Sequence, residues 1–359
     1  MPRPGVTFVI MAGGRGERLW PLVRTAAPKV CLSADGRRSL LRATIDRLRP
    51  AWPGASWRIV TTREQAAAVR AVVPAPLRPG VLVEPEVRNT AACITLAALI
   101  EAARDPRRIL VIAPADHWVD GAAAYRQAIR AGIQAASEED AIATIGIRPT
   151  RPHPGLGYVC AGARLPRWRR PRVFRLARFV EKPSPAAAAR LITRPGTFWN
   201  SGTFIGAADQ FLLRVTEWLP EHVRRLVHVA PALARNGAAT ARRAARAYRA
   251  LPPVSFDHGV MDHLRAGALI VEGRFGWADL GSWDSWAQLG TGQARTITVE
   301  SAKVTVVSQD EHLVAAVGVR DLVVVHTPTA TLVCRADRVQ AVRGVVRRLR
   351  ADARLAQYR

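Results

Sequence analysis

The stretch Val6-Thr7-Phe8-Val9-Ile10-Met11-Ala12-Gly13-Gly14-Arg15-Gly16-Glu17-Arg18-Leu19-Trp20-Pro21 decides the fold. Val6–Met11 is a short apolar run that reads as a buried strand. It flows straight into a turn that holds Gly13, Gly14 and Gly16. Glycine lets the backbone approach an anion closely and aim its N–H groups at it. Arg18, and Lys29 in the following Pro28-Lys29, add two cations suited to phosphate oxygens. The loop is neither G-x-G-x-x-G nor G-x-x-x-x-G-K-[ST].

Outward from this loop, the first 150 residues alternate between β-rich and helical runs. Further strands are expected over 58–62, 81–84, 109–113 and 141–147. Helices are expected over 40–48, 64–72, 90–103 (with Asn89 or Thr90 as N-cap) and 123–136. This alternation predicts a mostly parallel sheet covered on both faces, with ligands at the carboxyl ends of its strands. Past Pro149, strand-like pieces at 158–161, 174–180 and 203–205 are separated by long loops. Helices are expected over 208–219 and 223–248, the second Arg/Ala-rich and read as a solvated surface element. From about Thr296 short Val-rich strands follow one another without a crisp repeat, and no helix appears until 343–355. The expected boundary lies at 290–295. It gives a large domain over 1–290 and a small β-rich domain over 291–359 that ends in a helix.

Of the 359 residues, 49% are hydrophobic and 23% charged, which excludes a disordered chain. The net charge of +25 would fit a nucleic-acid binder. Yet the lysines are only Lys29, Lys182 and Lys303, so nearly all the positive charge is arginine. With abundant Ala, Pro and Gly, that choice looks like composition bias, and the arginines are scattered. No specific nucleic-acid partner is expected. The N-terminal apolar run is too short for a signal peptide, and no stretch approaches the roughly 20 apolar residues of a membrane span. A soluble, cytoplasmic protein without a membrane partner is expected. Cys31, Cys93, Cys160 and Cys334 show no metal-binding spacing and read as buried, reduced thiols.

Further clusters carry chemistry. Glu84-Pro85-Glu86-Val87-Arg88-Asn89-Thr90-Ala91-Ala92 links a strand to a helix N-terminus, where free N–H groups favour an anion or a polar base edge. Pro114-Ala115-Asp116-His117 puts a carboxylate at the end of a strand, a good place for a metal ion. His117 reads as a structural hydrogen-bonder. Gly155-Leu156-Gly157-Tyr158, Phe179-Val180-Glu181-Lys182-Pro183 and Trp199-Asn200-Ser201-Gly202 follow. Ser255-Phe256-Asp257-His258-Gly259-Val260-Met261-Asp262 and Phe275-Gly276-Trp277-Ala278-Asp279-Leu280-Gly281-Ser282-Trp283 complete the series. Taken alone, most have a plain reading as a tight turn, a capped helix or a surface turn. Their order and spacing give them weight.

That order resembles the sugar-1-phosphate nucleotidyltransferases, from Val9 to about Trp286. Arg18-Leu19-Trp20-Pro21-Leu22 resembles their mannose-1-phosphate guanylyltransferase branch, and 310–349 resembles the C-terminal β-rich segment. The resemblance implies a Rossmann-like, GT-A-like α/β nucleotidyltransferase fold with a mixed, mostly parallel sheet, plus a small β-helix-like domain. It implies transfer of a guanylyl group from GTP to α-D-mannose 1-phosphate. Ala12, Gly13, Gly14, Gly16, Arg88, Asn89 and Thr90 would bind the nucleotide. Arg18 and Lys29 would neutralise the triphosphate. Asp116 and Asp279 would hold Mg²⁺. Gly157, Glu181, Lys182 and Asn200 would bind the sugar phosphate, with Asp257 near the sugar. The family has Thr where this chain has Glu17, and Tyr where it has His258. Longer relatives carry a further isomerase domain, for which this chain is too short. A homodimer fits the family, although the residues do not set the oligomeric state. Two alternatives remain open: UTP or dTTP with glucose 1-phosphate, and a non-catalytic subunit that binds a nucleotide sugar.

Overall fold

The structure is a computed structural model. It describes residues 5–25, 27–34, 36–235, 241–264, 266–288, 295–308 and 310–359.

The larger part contains strands β1 (Val6–Met11), β2 (Ser56–Thr62), β3 (Val81–Glu84), β4 (Ile109–Pro114), β5 (His117–Asp120) and β6 (Ile142–Ile147). It continues with β7 (Tyr158–Leu165), β8 (Val173–Val180), β9 (Thr197–Ala207), β10 (Ala268–Gly273) and β11 (Gly276–Asp279). Among the described residues, nine of these form one sheet in the order β3-β2-β1-β4-β9-β6-β10-β8-β7. β1 pairs in parallel with β2 and β4, aligning Ile10 with both Ile59 and Ala113. Strands buried on both faces have no solvent side, which is why β1 and β4 are apolar without alternation. One face packs on Leu40–Leu48 and Ala122–Glu138; the other packs on Asn89–Ala102 and Ala208–Trp218. Ser39 caps the first of these helices by accepting from the Arg42 N–H.

The sheet is mixed because β9 runs antiparallel between β4 and β6. β9 is eleven residues long, far longer than the strand expected at 203–205. It therefore lifts Trp199 and Asn200 into the middle of the sheet. β10, parallel to β6, was not legible in the sequence. β5 and β11 form a separate antiparallel pair that aligns His117 with Asp279.

The single helix expected over 223–248 is replaced by Pro220–Leu226, Ala230–Ala234 and Ala241–Arg249. Pro231 lacks the N–H that a continuous helix would need, so it starts a new one instead. Nor is the last piece wholly solvated, because Ala244 and Tyr248 are buried.

The boundary expected at 290–295 falls largely on residues outside the described ones. Beyond it lie β12 (Arg295–Val299), β13 (Ala302–Ser308), β14 (Leu313–Val317), β15 (Arg320–Thr327) and β16 (Ala330–Arg335). β12 pairs in parallel with β14, and β13 with β15. Arg295 faces Leu313 and Ala302 faces Arg320, the same offset in both pairs, so the backbone coils regularly although the side chains do not repeat. The helix Val342–Ala351 follows. A third apolar cluster joins both parts of the chain, with Leu19, Trp20 and Trp283 on one side and Val325, Val346 and Leu349 on the other.

Trp283 is fully buried in that cluster, and its Nε1 donates to the Trp20 carbonyl at 3.1 Å. Trp283→Ala is expected to cost roughly 3–5 kcal/mol of stability, measured by urea denaturation. A loss below about 1 kcal/mol would show that the junction is not a shared core.

Candidate active site

The glycine loop is held from below. Ala12 N–H donates to the Val60 carbonyl at 2.7 Å, and the Thr61 hydroxyl donates to the Ala12 carbonyl at 3.0 Å. Gln65 Nε2 donates to the Gly14 carbonyl at 3.1 Å. Gly16 has φ +59°, and a Cβ there would lie 2.8 Å from Lys29 Cβ. Only glycine serves that position, because it adopts left-handed backbone freely and leaves room for the lysine stem. Gly14 instead faces open space, where a ligand can approach the backbone.

Lys29 is 4% exposed. Its Nζ lies 2.6 Å from Asp116 Oδ2 and 3.6 Å from Asp279 Oδ1. Asp116 follows β4 and Asp279 ends β11, so the β5–β11 pairing brings both carboxylates to one ammonium. Burial works to raise the Asp116 carboxyl. The Lys29 charge and its hydrogen bond outweigh that, leaving Asp116 below the usual aspartate range. Arg18 joins the group: a Cβ on Gly281 would stand 2.7 Å from Arg18 Nη2 and 3.1 Å from both Asp279 carboxylate oxygens. Gly281 thus leaves room for Arg18 beside the Asp279 carboxylate. Arg18, Lys29, Asp116 and Asp279 form one cluster.

A second cluster gathers the residues expected to bind the sugar phosphate. Asn200 Oδ1 accepts from the Thr144 hydroxyl at 2.8 Å, and its Nδ2 donates to Asp257 Oδ1 at 2.7 Å. Lys182 Nζ pairs with Glu181 Oε1. A Cβ on Gly157 would lie 2.6 Å from Glu181 Oε2, so Gly157 leaves that carboxylate its place. Burial, then the Glu181 charge, pushes Asp257 up to about 6. Between the clusters stands an aromatic wall. Trp277 Nε1 donates to His117 Nδ1 at 3.3 Å, and the Trp199 and Trp277 rings lie 6.4 Å apart. Burial lowers the His117 imidazole below its ordinary range.

The stretch 88–90 is differently engaged. Arg88 donates to the carbonyls of Tyr248 and Arg249 at 2.7 and 3.0 Å, and the Thr90 hydroxyl accepts from Phe256 N–H at 2.9 Å. Asn89 is exposed, and its Oδ1 accepts from Thr90 N–H. These side chains tie the start of the helix Asn89–Ala102 to residues 248–256. Glu84, which opens the same motif, sits under the loop: its Oε2 would be 3.8 Å from a Cβ on Gly13. Glu84 Oε1, Thr62 Oγ1 and Gln65 Oε1 are buried there without a hydrogen-bond partner.

The nucleotidyl transferase family model matches residues 7–295, and the MannoseP isomerase/GMP-like beta-helix domain matches 294–349. The chain belongs to the nucleotidyl transferase family. The mannose-1-phosphate guanylyltransferase ManC of Salmonella typhimurium is 34% identical over 96% of this chain and 73% of the relative. The xanthan biosynthesis protein XanB of Xanthomonas campestris is 33% identical over 96% of this chain and 73% of its own. A solved structure from Thermus thermophilus, described as mannose-1-phosphate geranyltransferase, shares 33% identity at a TM-score of 0.80. That match covers 96% of this chain and 99% of the other. Nucleotidyl transferases generally use a divalent metal ion. No helix among the described residues is long and apolar enough to cross a membrane.

In this nucleotidyl transferase, Glu84, Gly281 and Thr62 were missed as site residues by sequence reasoning. Glu84 carried a signal, a carboxylate at the carboxyl end of a strand beside the loop. Gly281 lay inside the Phe275 to Trp283 motif without being singled out, and Thr62 carried no signal.

Burial pushes the Glu84 carboxyl from 4.5 up to about 8. Between those values the folded chain keeps a proton that the unfolded chain releases, so its stability falls as pH rises from about 4.5 to about 8. Glu84→Gln removes this slope, worth at most about 1.4 kcal/mol per pH unit. Urea unfolding at about pH 5 and about pH 8 should show the variant gaining on the wild type at the higher pH. Parallel curves would refute the buried-acid assignment.

Proposed function

We propose that this chain transfers the guanylyl group of GTP to α-D-mannose 1-phosphate, giving GDP-mannose and pyrophosphate. The observation that carries this is Lys29 gripping Asp116 and Asp279 beside a glycine loop that bears Arg18. The grouping of Gly157, Glu181 and Asn200, with Lys182 paired to Glu181, supports a sugar-phosphate site. The names of the relatives support the substrate pair.

The sugar phosphate is already ionised near neutral pH, so no general base is needed. Its oxygen attacks the α-phosphorus, the bond to the β-phosphate oxygen breaks, and pyrophosphate leaves with the electron pair. The barrier lies in bringing two polyanions together, which positioning and fixed charge lower. Arg18 and Lys29 draw charge toward the departing pyrophosphate. Lys182, which pairs with Glu181, turns to the incoming phosphate. Glu181 and Asn200 accept and donate hydrogen bonds to sugar hydroxyls, with Asp257 fixing the Asn200 amide. The backbone of Ala12, Gly13, Gly14 and Gly16 faces the nucleotide, and residues 88–90 shape the wall of its pocket.

Asp116 and Asp279 offer hard carboxylate oxygens at one point, a donor set that fits Mg²⁺. Bound there, the ion would neutralise triphosphate charge. The names of the relatives also support GTP over UTP or dTTP. We place the enzyme in the cytoplasm. A homodimer is supported by the exposed apolar residues Ile297, Leu313 and Val317 on β12 and β14. Val317→Glu should shift a wild-type dimer toward monomer in sedimentation, and an unchanged species would reject that surface.

Pyrophosphate release from a panel of nucleoside triphosphates and sugar 1-phosphates, with and without Mg²⁺, tests the reaction. GTP with mannose 1-phosphate should be fastest and depend on the ion. Lys29→Ala and Asp116→Ala should each lose roughly 10²-fold or more in turnover. Wild-type turnover in Asp116→Ala would sink the metal assignment, and a faster UTP or dTTP reaction would sink the substrate pair.

A further inference from the structure

The apolar side chains of the phosphate loop turn away from the sheet that carries it. Leu19, Trp20 and Val23 pack in one buried cluster with Val342, Val346 and Leu349 of the C-terminal segment. Polar contacts complete the docking. Trp20 Nε1 donates to the Tyr358 carbonyl at 2.9 Å, and Arg24 Nη2 donates to the Thr327 hydroxyl at 3.1 Å. Two further contacts touch residues of the site itself. Arg18 Nη1 donates to Gln340 Oε1 at 3.1 Å. Arg350 Nη1 meets Glu17 Oε1 at 2.6 Å.

We propose that Gln340 is a positioning residue for Arg18 and that Arg350 holds the Glu17 carboxylate off the phosphate site. This makes the C-terminal segment a working part of the active site, and it rests on the guanylyl-transfer reading above. An arginine on a glycine loop has many rotamers, and a fixed acceptor removes most of them before substrate arrives. The choice of an amide matters. Gln340 orients the guanidinium without adding a negative charge of its own beside it. Gln340 itself is held by the chain on either side, where Val339 and Val342 are buried. The Glu17–Arg350 pair answers the opposite problem. Glu17 follows directly on the glycine turn, where a carboxylate left facing a triphosphate would repel it. Turned toward Arg350 on the helix Val342–Ala351, it points at the C-terminal helix and is matched by a cation.

The two contacts predict different kinetic signatures in the full chain. Gln340→Leu keeps the bulk and removes the acceptor. It should lower kcat roughly tenfold, leaving the KM for mannose 1-phosphate and the Tm unchanged. Arg350→Ala should raise the KM for GTP several-fold, and adding Glu17→Gln in that background should bring it back. Wild-type kcat in Gln340→Leu, or a loss that tracks a lowered Tm, overturns the positioning role. A KM in Arg350→Ala that Glu17→Gln does not repair overturns the shielding role. Pyrophosphate release by the wild type under the same conditions separates these failures from failure of the underlying reaction, since no wild-type turnover on any nucleotide would reject both together.

Discussion

A buried ammonium between two carboxylates organises this molecule. Lys29 is almost wholly removed from water, and an isolated charge there would be very costly. Asp116 at 2.6 Å and Asp279 at 3.6 Å make the position tenable. Those partners come from the end of β4 and the end of β11, while Lys29 comes from the far side of the glycine loop. One charge therefore ties three distant segments into one mouth. Gly16 must lack a side chain for the lysine stem to pass, and Gly281 must lack one for Arg18 to join. The glycines of both motifs thus serve the placement of cations, beyond giving the backbone freedom to turn.

The parts of this arrangement that were legible in the sequence are the local ones. Val6–Met11, Leu40–Leu48 and Val81–Glu84 were read with the bounds they have, because periodicity and turn residues act within a few positions. The register of β5 on β11 was not legible, since it joins segments with everything between them folded elsewhere. The common placement of Asp116 and Asp279 could be expected only through resemblance to a family. Nor did any local signal show that Trp199 and Asn200 stand within an eleven-residue strand, since Gly202 reads as a turn residue. At φ +67° Gly202 bends β9 without ending it. The regular coil of β12 to β15 escaped for a related reason: the backbone offset repeats while the residues on it do not.

Several of the arginines serve the fold itself. Glu101 is fully buried, and Arg58 at 2.7 Å and Arg108 at 3.2 Å meet its two oxygens while the Thr7 hydroxyl donates at 2.9 Å. Arg172 pairs with Glu272 through both terminal oxygens. Arg88 holds two backbone carbonyls. In these places the planar fork of arginine matches a planar or paired acceptor. Two of the three lysines, Lys29 and Lys182, lie at the clusters proposed to meet phosphates. The third, Lys303, is an exposed residue beside Asp321. The division follows from chemistry: a compact ammonium on a flexible stem can leave one carboxylate for an incoming phosphate, whereas a forked pair is harder to exchange.

Glu17 and Glu84 bound the phosphate loop with two carboxyl groups in opposite conditions. Glu17 is partly exposed and faces Arg350 at 2.6 Å, so a cation stands against its carboxylate. Glu84 is buried beneath Gly13, and burial lets it hold its proton to about pH 8. A loop that must receive a polyanion cannot tolerate a second bare negative charge on either side. Pairing removes one and protonation removes the other. The first solution requires the C-terminal helix to be docked, and the second requires the loop to stay closed over β3. Both therefore depend on the packing of Leu19 and Trp20, the apolar half of the same motif that carries Arg18. In this chain the proposed anion site and the hydrophobic junction between the two parts are opposite faces of one short segment.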